Sequence, residues 1–139
     1  MIVLDTNVVS ELMRPDPSTV VGKWFAAQRP DELHITVITV AEILYGIELL
    51  PAGKRRDVLV TGSETMFNRV FVGRIFPFDN DAAHSFPTIA AQRRRNGRPI
   101  AELDAQIAAI ASIHGAAIAT RNTSDFEGCG IRVLNPWLD

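Results

Sequence analysis

Four side chains fall where the chain could do chemistry. Asp5 comes straight after the apolar run Ile2-Val3-Leu4 and straight before Thr6-Asn7. Such a run reads as a buried strand, so the carboxylate stands at its C-terminal end, the edge where parallel α/β sheets bind ligands. A lone ionised Asp is costly to desolvate, and one fixed there needs a hydrogen-bond donor, a cation or open water. Glu42 follows a second strand ending near Val37, within Ile38-Thr39-Val40-Ala41-Glu42. Asp104 lies in the first turn of a helix opening near Glu102, and Asn122 follows a strand ending at Ala119, with Asp125 three residues beyond.

If Asp5, Glu42 and Asp104 converge, their charges repel and raise one another's pKa unless a divalent cation neutralises them. Hard oxygen ligands without paired His or Cys favour Mg2+ or Mn2+ over zinc, and Mg2+ keeps several waters. That is equipment for phosphodiester hydrolysis: the cation can polarise a phosphoryl oxygen, lower the pKa of a bound water and steady the leaving oxygen.

Each acid also has an ordinary structural account. Thr39-Val40-Ala41-Glu42 matches a capping box, in which the Glu bonds back to the cap amide. The helix dipole favours Asp104 in a first turn with no ligand at all. Asp5 could cap the helix that begins near Asn7, and Asp125 could be a turn residue in Asn122-Thr123-Ser124-Asp125. Only a common location would lift these residues above such accounts.

The elements that must supply that location alternate. Short β-rich runs at Ile2-Leu4, Leu33-Val37, Arg74-Phe78, Ala116-Ala119 and Ile131-Leu134 read as strands. Between them lie helical stretches at 7–14, 19–28, 40–50, 54–71, 80–96 and 102–114. This alternation predicts an α/β fold with a central, mostly parallel sheet of about five strands flanked by helices. Pro15 and Pro17 stop the first helix, Pro51 and Gly53 separate two more, and Gly115 ends the last long one. Pro87 falls inside the 80–96 pattern and predicts a kink there, or a helix that starts later.

A length of 139 residues fits one domain over 1–139, with an apolar fraction of 47% and a charged fraction of 22% that are ordinary for a globular protein. The formal charge of −2 argues against a uniformly basic nucleic-acid coat and leaves local patches open. The single cysteine, Cys129, excludes a disulfide framework within the chain and a thiolate cluster for zinc; it reads as a small loop residue suited to a reducing cytosol. No run approaches the roughly 18 apolar residues that a membrane span needs, and the N-terminus reaches Asp5 too soon for a secretory signal. The expectation is a cytoplasmic protein with no membrane contact.

The opening Met1-Ile2-Val3-Leu4-Asp5-Thr6-Asn7, the segment Thr39-Val40-Ala41-Glu42, the stretch from Ala101 to Ala109 holding Asp104, and Ala119-Thr120-Arg121-Asn122 together resemble a PIN domain. More narrowly, the chain resembles the VapC toxins of bacterial toxin-antitoxin pairs, in the FitB-like branch that ends in a segment like Asn135-Pro136-Trp137. The resemblance implies a metal-dependent endoribonuclease. By it, Asp5 and Asp104 match the principal metal-binding aspartates, Glu42 the helix-borne glutamate, and Thr6 and Asn7 the polar pair supporting the first acid. The family often carries a fourth acid where this chain has Asn122. The amide removes one charge, which Asp125 is placed to restore from the next turn. The resemblance further implies a homodimer and a small antitoxin whose C-terminal segment lies in the groove. With no DNA-reading element evident in this chain, contact with operator DNA falls to that partner.

Arg93-Arg94-Arg95 with Arg98, the run Lys54-Arg55-Arg56, and Arg121 beside the suspected site read either as a basic rim that steers RNA or as solvated helix surface. No stacked aromatic platform is evident. His34, His84 and His114 have no metal spacing and read as surface or satisfied residues, whereas Trp24, Phe25, Phe67, Phe71 and Trp137 read as core or interface. The expected activity is therefore a Mg2+- or Mn2+-dependent ribonuclease using Asp5, Glu42 and Asp104. Its rivals are a PIN-fold binding module without turnover, and a phosphatase or DNA nuclease with a similar acidic site.

Overall fold

The structure, a computed structural model, describes residues 1–139. The chain runs β1 (Ile2–Leu4), α1 (Thr6–Leu12), α2 (Thr19–Ala27), β2 (Leu33–Thr36), α3 (Val37–Glu48), α4 (Lys54–Thr65), β3 (Ile75–Phe76), α5 (Asn80–Arg95), α6 (Glu102–Ile113), β4 (Ala117–Ala119) and β5 (Val133–Leu134). Every strand pairing is parallel, in the order β3-β2-β1-β4-β5. The chain steps outward from β1 through β2 to β3, then crosses back to β4 on the other side of β1. The connections leaving β1 and β4 therefore diverge, opening a crevice at the C-terminal ends of these two central strands.

Side chains alternate across the sheet and build a core on each face. Leu4, Leu33, Ile35 and Ala119 pack with Val8, Val9, Val21, Ile43, Ile47 and Phe71 against α1 to α4. Val3 and Ile118 pack with Ile89, Ile107, Ala108, Ala111 and Phe126 against α5 and α6. Trp24, Phe25, Phe67 and Trp137 lie half-buried against the first core, beside the fully buried Phe71. The run of small residues along α6 lets the middle of this helix, Ala105 and Ile107 to Ala111, lie buried between α5 and the sheet. Gly115, at φ +62°, provides the left-handed residue that ends it. No helix is long and apolar enough to cross a membrane.

The elements differ from the sequence expectation chiefly at one junction. The strand expected to reach Val37 ends at Thr36, and the helix expected from 40 begins at Val37. Thr36 is the extended N-cap, its hydroxyl accepting from the Thr39 amide at 3.2 Å. The capping box read from Thr39 and Glu42 is therefore not formed. Both residues lie inside α3, one turn apart, and β-branched Val37 and Ile38 carried a strand signal into helix. The stretch 54–71 is α4 followed by a π turn over Met66–Val70. Pro87 does not delay α5, which starts at Asn80 because the Asp79 carboxylate accepts from the Ala82 amide at 3.0 Å. The proline sits within that helix and removes one of its N–H donors.

Candidate active site

The crevice between β1 and β4 is an open cleft of about 570 Å³ lined by polar side chains, with Trp137 the one hydrophobic residue on its wall. Five carboxylates line it, Asp5, Glu11, Glu42, Asp104 and Asp125, together with Thr6, Asn7, Asn122 and the two guanidinium groups of Arg14 and Arg121. The three acids singled out in the sequence thus meet in one place although they come from β1, α3 and α6.

Asp5 is buried and held by several donors. Its Oδ1 accepts from the Thr6 amide at 2.8 Å, and its Oδ2 accepts from the Thr120 hydroxyl at 2.8 Å and from Asn7 Nδ2 at 3.2 Å. It is also the N-cap of α1, so the capping and site readings of this residue are compatible. Thr120, fully buried, is the hub of this wiring. While donating to Asp5, its oxygen accepts from Asn7 Nδ2 at 3.2 Å and from the Asn122 amide at 3.1 Å. Burial pushes the Asp5 carboxyl above its ordinary value, the hydrogen bonds from Thr120 and Thr6 oppose this, and the charges of Glu42 and Asp125 add to it.

Glu42 is held through Thr6, whose hydroxyl donates to Oε1 at 2.9 Å. The Thr6 proton being used there, the Thr39 hydroxyl, 2.9 Å from that of Thr6, is the donor in their shared bond. A relay Thr39 to Thr6 to Glu42 thus fixes the glutamate from the first turn of α1 and from its own helix.

Asp104 stands at the third position of α6, whose N-cap Ala101 offers no side-chain bond. Its carboxylate forms no hydrogen bond or ion pair within the protein. Burial pushes its carboxyl up to about 6, reinforced by the charges of Asp5, Asp125 and Glu42 and opposed by Arg93. Asp125, in a one-turn helix over Thr123–Asp125, likewise offers a carboxylate without a partner. No three acidic, His or Cys side chains are drawn to ligand spacing around a single point. The donor set nevertheless fits a hard cation. Its side-chain donors are carboxylate and hydroxyl oxygens, and two of the carboxylates, those of Asp104 and Asp125, make no hydrogen bond that an ion would have to displace.

The basic residues divide differently from the sequence expectation. Arg93 is not on a solvated face: it is buried, donating to the carbonyls of Arg98 at 2.7 Å and Asp125 at 2.7 Å, and to Cys129 Sγ at 3.6 Å. With Arg98, which bonds the Ser124 carbonyl and pairs with Glu127, it straps the loop carrying Asn122 and Asp125 onto α5. Lys54, Arg55 and Arg56 lie on α4 away from the cleft wall, with Arg56 paired to Glu48. Cys129 is in a loop, as expected, but buried within the core. The histidines are not all satisfied surface residues. His34 and His114 sandwich the Phe76 ring at 4.4 and 3.8 Å, and His114 Nε2 is buried without a partner.

Sequence reasoning gave no role to Thr120 or Glu11. Thr120 repeats after β4 the pattern of Asp5 after β1, a polar residue ending an apolar strand. Glu11 is four residues after Asn7 and so shares its face of α1. It is buried, its Oε2 making no hydrogen bond, with Arg14 Nη1 3.4 Å away.

Comparison with known proteins agrees with this architecture. The family model described as the PIN domain matches residues 2–128. The chain is 44% identical over 137 residues to VapC ribonuclease Y4jK of Sinorhizobium fredii, covering 99% of this chain and 98% of that protein. It is 40% identical over 139 residues to toxin FitB of Neisseria gonorrhoeae, with 100% of both covered. It superposes with a TM-score of 0.91 and 39% identity on a chain from the structure of FitAB bound to the IR36 DNA fragment, covering 99% of this chain and 96% of that one. By sequence, fold and the cleft at its sheet switch point, the chain belongs to the PIN-domain family, among the VapC and FitB proteins.

Proposed function

We propose that the chain is a divalent-metal-dependent endoribonuclease and the toxin of a toxin-antitoxin pair. The observation that supports this most is the gathering of carboxylates from separate stretches of chain into one cleft, where burial first, and then the charges of Asp5, Asp125 and Glu42, push the Asp104 carboxyl up to about 6. The names of the relatives, a ribonuclease and a toxin, agree with it. Asp5, Glu42 and Asp104 would hold Mg2+ or Mn2+, with Asp125 adding charge where Asn122 adds none. When bound, the ion supplies Lewis acidity at a phosphoryl oxygen and lowers the pKa of water. The protein's own part is orientation: Thr120 and the Thr6 amide fix Asp5, the Thr6 hydroxyl fixes Glu42, and the arginine strap fixes the Asp125 loop. In the metal-free protein, Asp104 holds a proton on its carboxylate to an unusually high pH.

By the same reading the protein acts in the cytoplasm as a homodimer, restrained by a small antitoxin through which the complex reaches operator DNA. The structure of FitAB on DNA supports that assembly by analogy. The reading is tested by incubating purified protein with RNA, DNA and a small phosphoester in Mn2+ and in EDTA. Cleavage of RNA that needs the metal and drops on the order of 10³-fold in Asp5→Asn is the expected result. No turnover with any metal would make the chain a binding module, and preferential attack on DNA or the phosphoester would make it a different hydrolase.

A further inference from the structure

An acidic cleft repels RNA, so a nuclease of this design needs a cation on its wall that is not already spent on a carboxylate. Of the two arginines there, Arg14 already has a carboxylate partner, its Nη1 in an ion pair 3.4 Å from Glu11 Oε2. Arg121 is different. Although five carboxylates line the same cleft, its guanidinium forms no ion pair and no hydrogen bond; it lies over the Trp137 ring, 5.1 Å from the centroid. A cation stacked on an aromatic face keeps its in-plane N–H donors and its charge available to an incoming anion, whereas one paired with a carboxylate has its charge offset.

Both halves of this stack are built in. The Arg121 amide donates to Asn7 Oδ1 at 3.2 Å, and Asn7 in turn bonds Asp5 and Thr120, so the backbone of the arginine hangs on the network that fixes Asp5. The Trp137 amide donates to Asn135 Oδ1 at 3.0 Å, and the Asn135 amide donates to Asp139 Oδ2 at 2.7 Å. The ring itself rests against the core formed with α1 to α4. The last turn of the chain therefore presents an aromatic face to the cleft and withholds the guanidinium from the acids opposite.

We infer that Arg121, held by Trp137, is the phosphate-binding residue of the cleft, taking the non-bridging oxygens of an RNA phosphodiester in its planar fork. This rests on the ribonuclease reading above. Arginine suits the role because its fork matches phosphate oxygens two at a time, and because it stacks as a lysine does not.

The test is binding of a short fluorescein-labelled RNA, followed by anisotropy across a KCl series in EDTA so that no turnover occurs. It is paired with kcat and KM in Mn2+ and with a melting curve for every variant. Arg121→Ala is expected to weaken binding about tenfold and to flatten the slope of log K against log salt by about 0.7, the loss of one single-strand phosphate contact. Its cleavage defect should fall mainly on KM. Arg121→Lys keeps the charge and should keep the slope while losing affinity. Trp137→Leu should resemble Arg121→Ala, Trp137→Phe should restore most of the binding, and the double variant Arg121→Ala/Trp137→Leu should be no worse than either single one. Arg132→Ala, an exposed site just before β5 at the other end of the sheet, should match wild type. Wild-type protein that cleaves RNA while Arg121→Ala leaves slope, affinity and KM unchanged overturns the clamp alone, whatever becomes of the tryptophan variants. Wild-type protein that neither binds nor cleaves RNA overturns the ribonuclease reading and the clamp with it.

Discussion

The two walls of the cleft are built on opposite principles. On the wall formed by the exits of β1 and β4, both oxygens of Asp5 are held: one hydroxyl, a carboxamide and a backbone amide close a network around its carboxylate. On the wall formed by the start of α6 and the loop after β4, Asp104 and Asp125 hold nothing, and their positions come from the helix that carries one and the arginine strap that holds the other. The first wall is rigid before any ligand arrives. The second is left electrostatically uncomfortable, and under the proposed function a cation bound there would relieve it. If these residues bind an ion as proposed, pre-organisation of one set with unmet charge on the other would give affinity without breaking the hydrogen bonds of the first wall.

The contrast is broken most severely at Thr120. Replacing it by Val keeps the shape and removes the donor to Asp5 Oδ2, leaving a buried carboxylate and the donors of Asn7 and Asn122 short of a partner. A loss of about 1–3 kcal/mol in stability is expected, measured by urea unfolding. Thr120→Ser, which retains the hydroxyl, should lose much less. If Val and Ser cost the same, the wired wall owes its stability to packing of the methyl group and the contrast is wrong.

On the opposite wall the sign reverses. The Asp104 carboxyl at about 6 lies above its value of about 4 in the unfolded chain, so between these values the folded state binds more protons than the unfolded one. Metal-free stability from this group is therefore full below about pH 4, falls as pH rises towards 6 and is level above. Asp104→Asn abolishes that fall. Because the group is only half-buried, solvent screening keeps the expected gain at pH 7.5 to about 1 kcal/mol or less. Thermal melting in EDTA at pH 4.5 and 7.5 reads the difference: the variant should be more stable than wild type only at the higher pH, and Mn2+ should raise the melting temperature of wild type but not of Asp104→Asn. A variant that melts lower at both pH values would mean that the carboxylate serves α6 rather than waiting for a ligand.

How much of this was legible beforehand follows the same division. Strand exits can be read locally, because an apolar run ending in a polar residue marks an edge wherever it occurs. Asp5 and the five parallel strands were accessible on that basis. Glu42 is legible, but its ordinary structural account fails, since Thr39-x-x-Glu42 satisfies a local pattern while the actual partner, Thr6, is 36 positions away and the true cap is Thr36. Nothing within a short window distinguishes a glutamate bonding backward along its helix from one bonding across the fold. Arg93 shows the same limit in charge patterning. Within the run Arg93-Arg94-Arg95, helical geometry turns one guanidinium inward to carbonyl acceptors from a distant loop while leaving its neighbours exposed. The Arg121 and Trp137 pair joins two segments with no shared pattern, and it became visible only when the chain's last turn was seen to fold back over the cleft.

Asn122 offers the smallest and most discriminating change. It sits on the boundary between the walls: its amide belongs to the network, donating to Thr120, while its side chain lines the same cleft as the unpaired Asp104 and Asp125. Asn122→Asp leaves that backbone bond intact and adds one carboxylate to the uncomfortable side. Since the residue is exposed, the cost in EDTA should be only a few tenths of a kcal/mol, in the range of a surface charge interaction. In Mn2+ the added oxygen acts in the opposite direction, strengthening ion binding and erasing or reversing that loss. The informative quantity is thus the difference between melting temperatures with and without Mn2+, which should widen in Asn122→Asp relative to wild type. A charge added to the wired wall would find less compensation, because the oxygens of Asp5 and Thr120 there already accept hydrogen bonds from the protein. If the difference does not widen, Asn122 belongs with the network in its side chain as well as its backbone, and the boundary between the two walls lies beyond it, at Asp125.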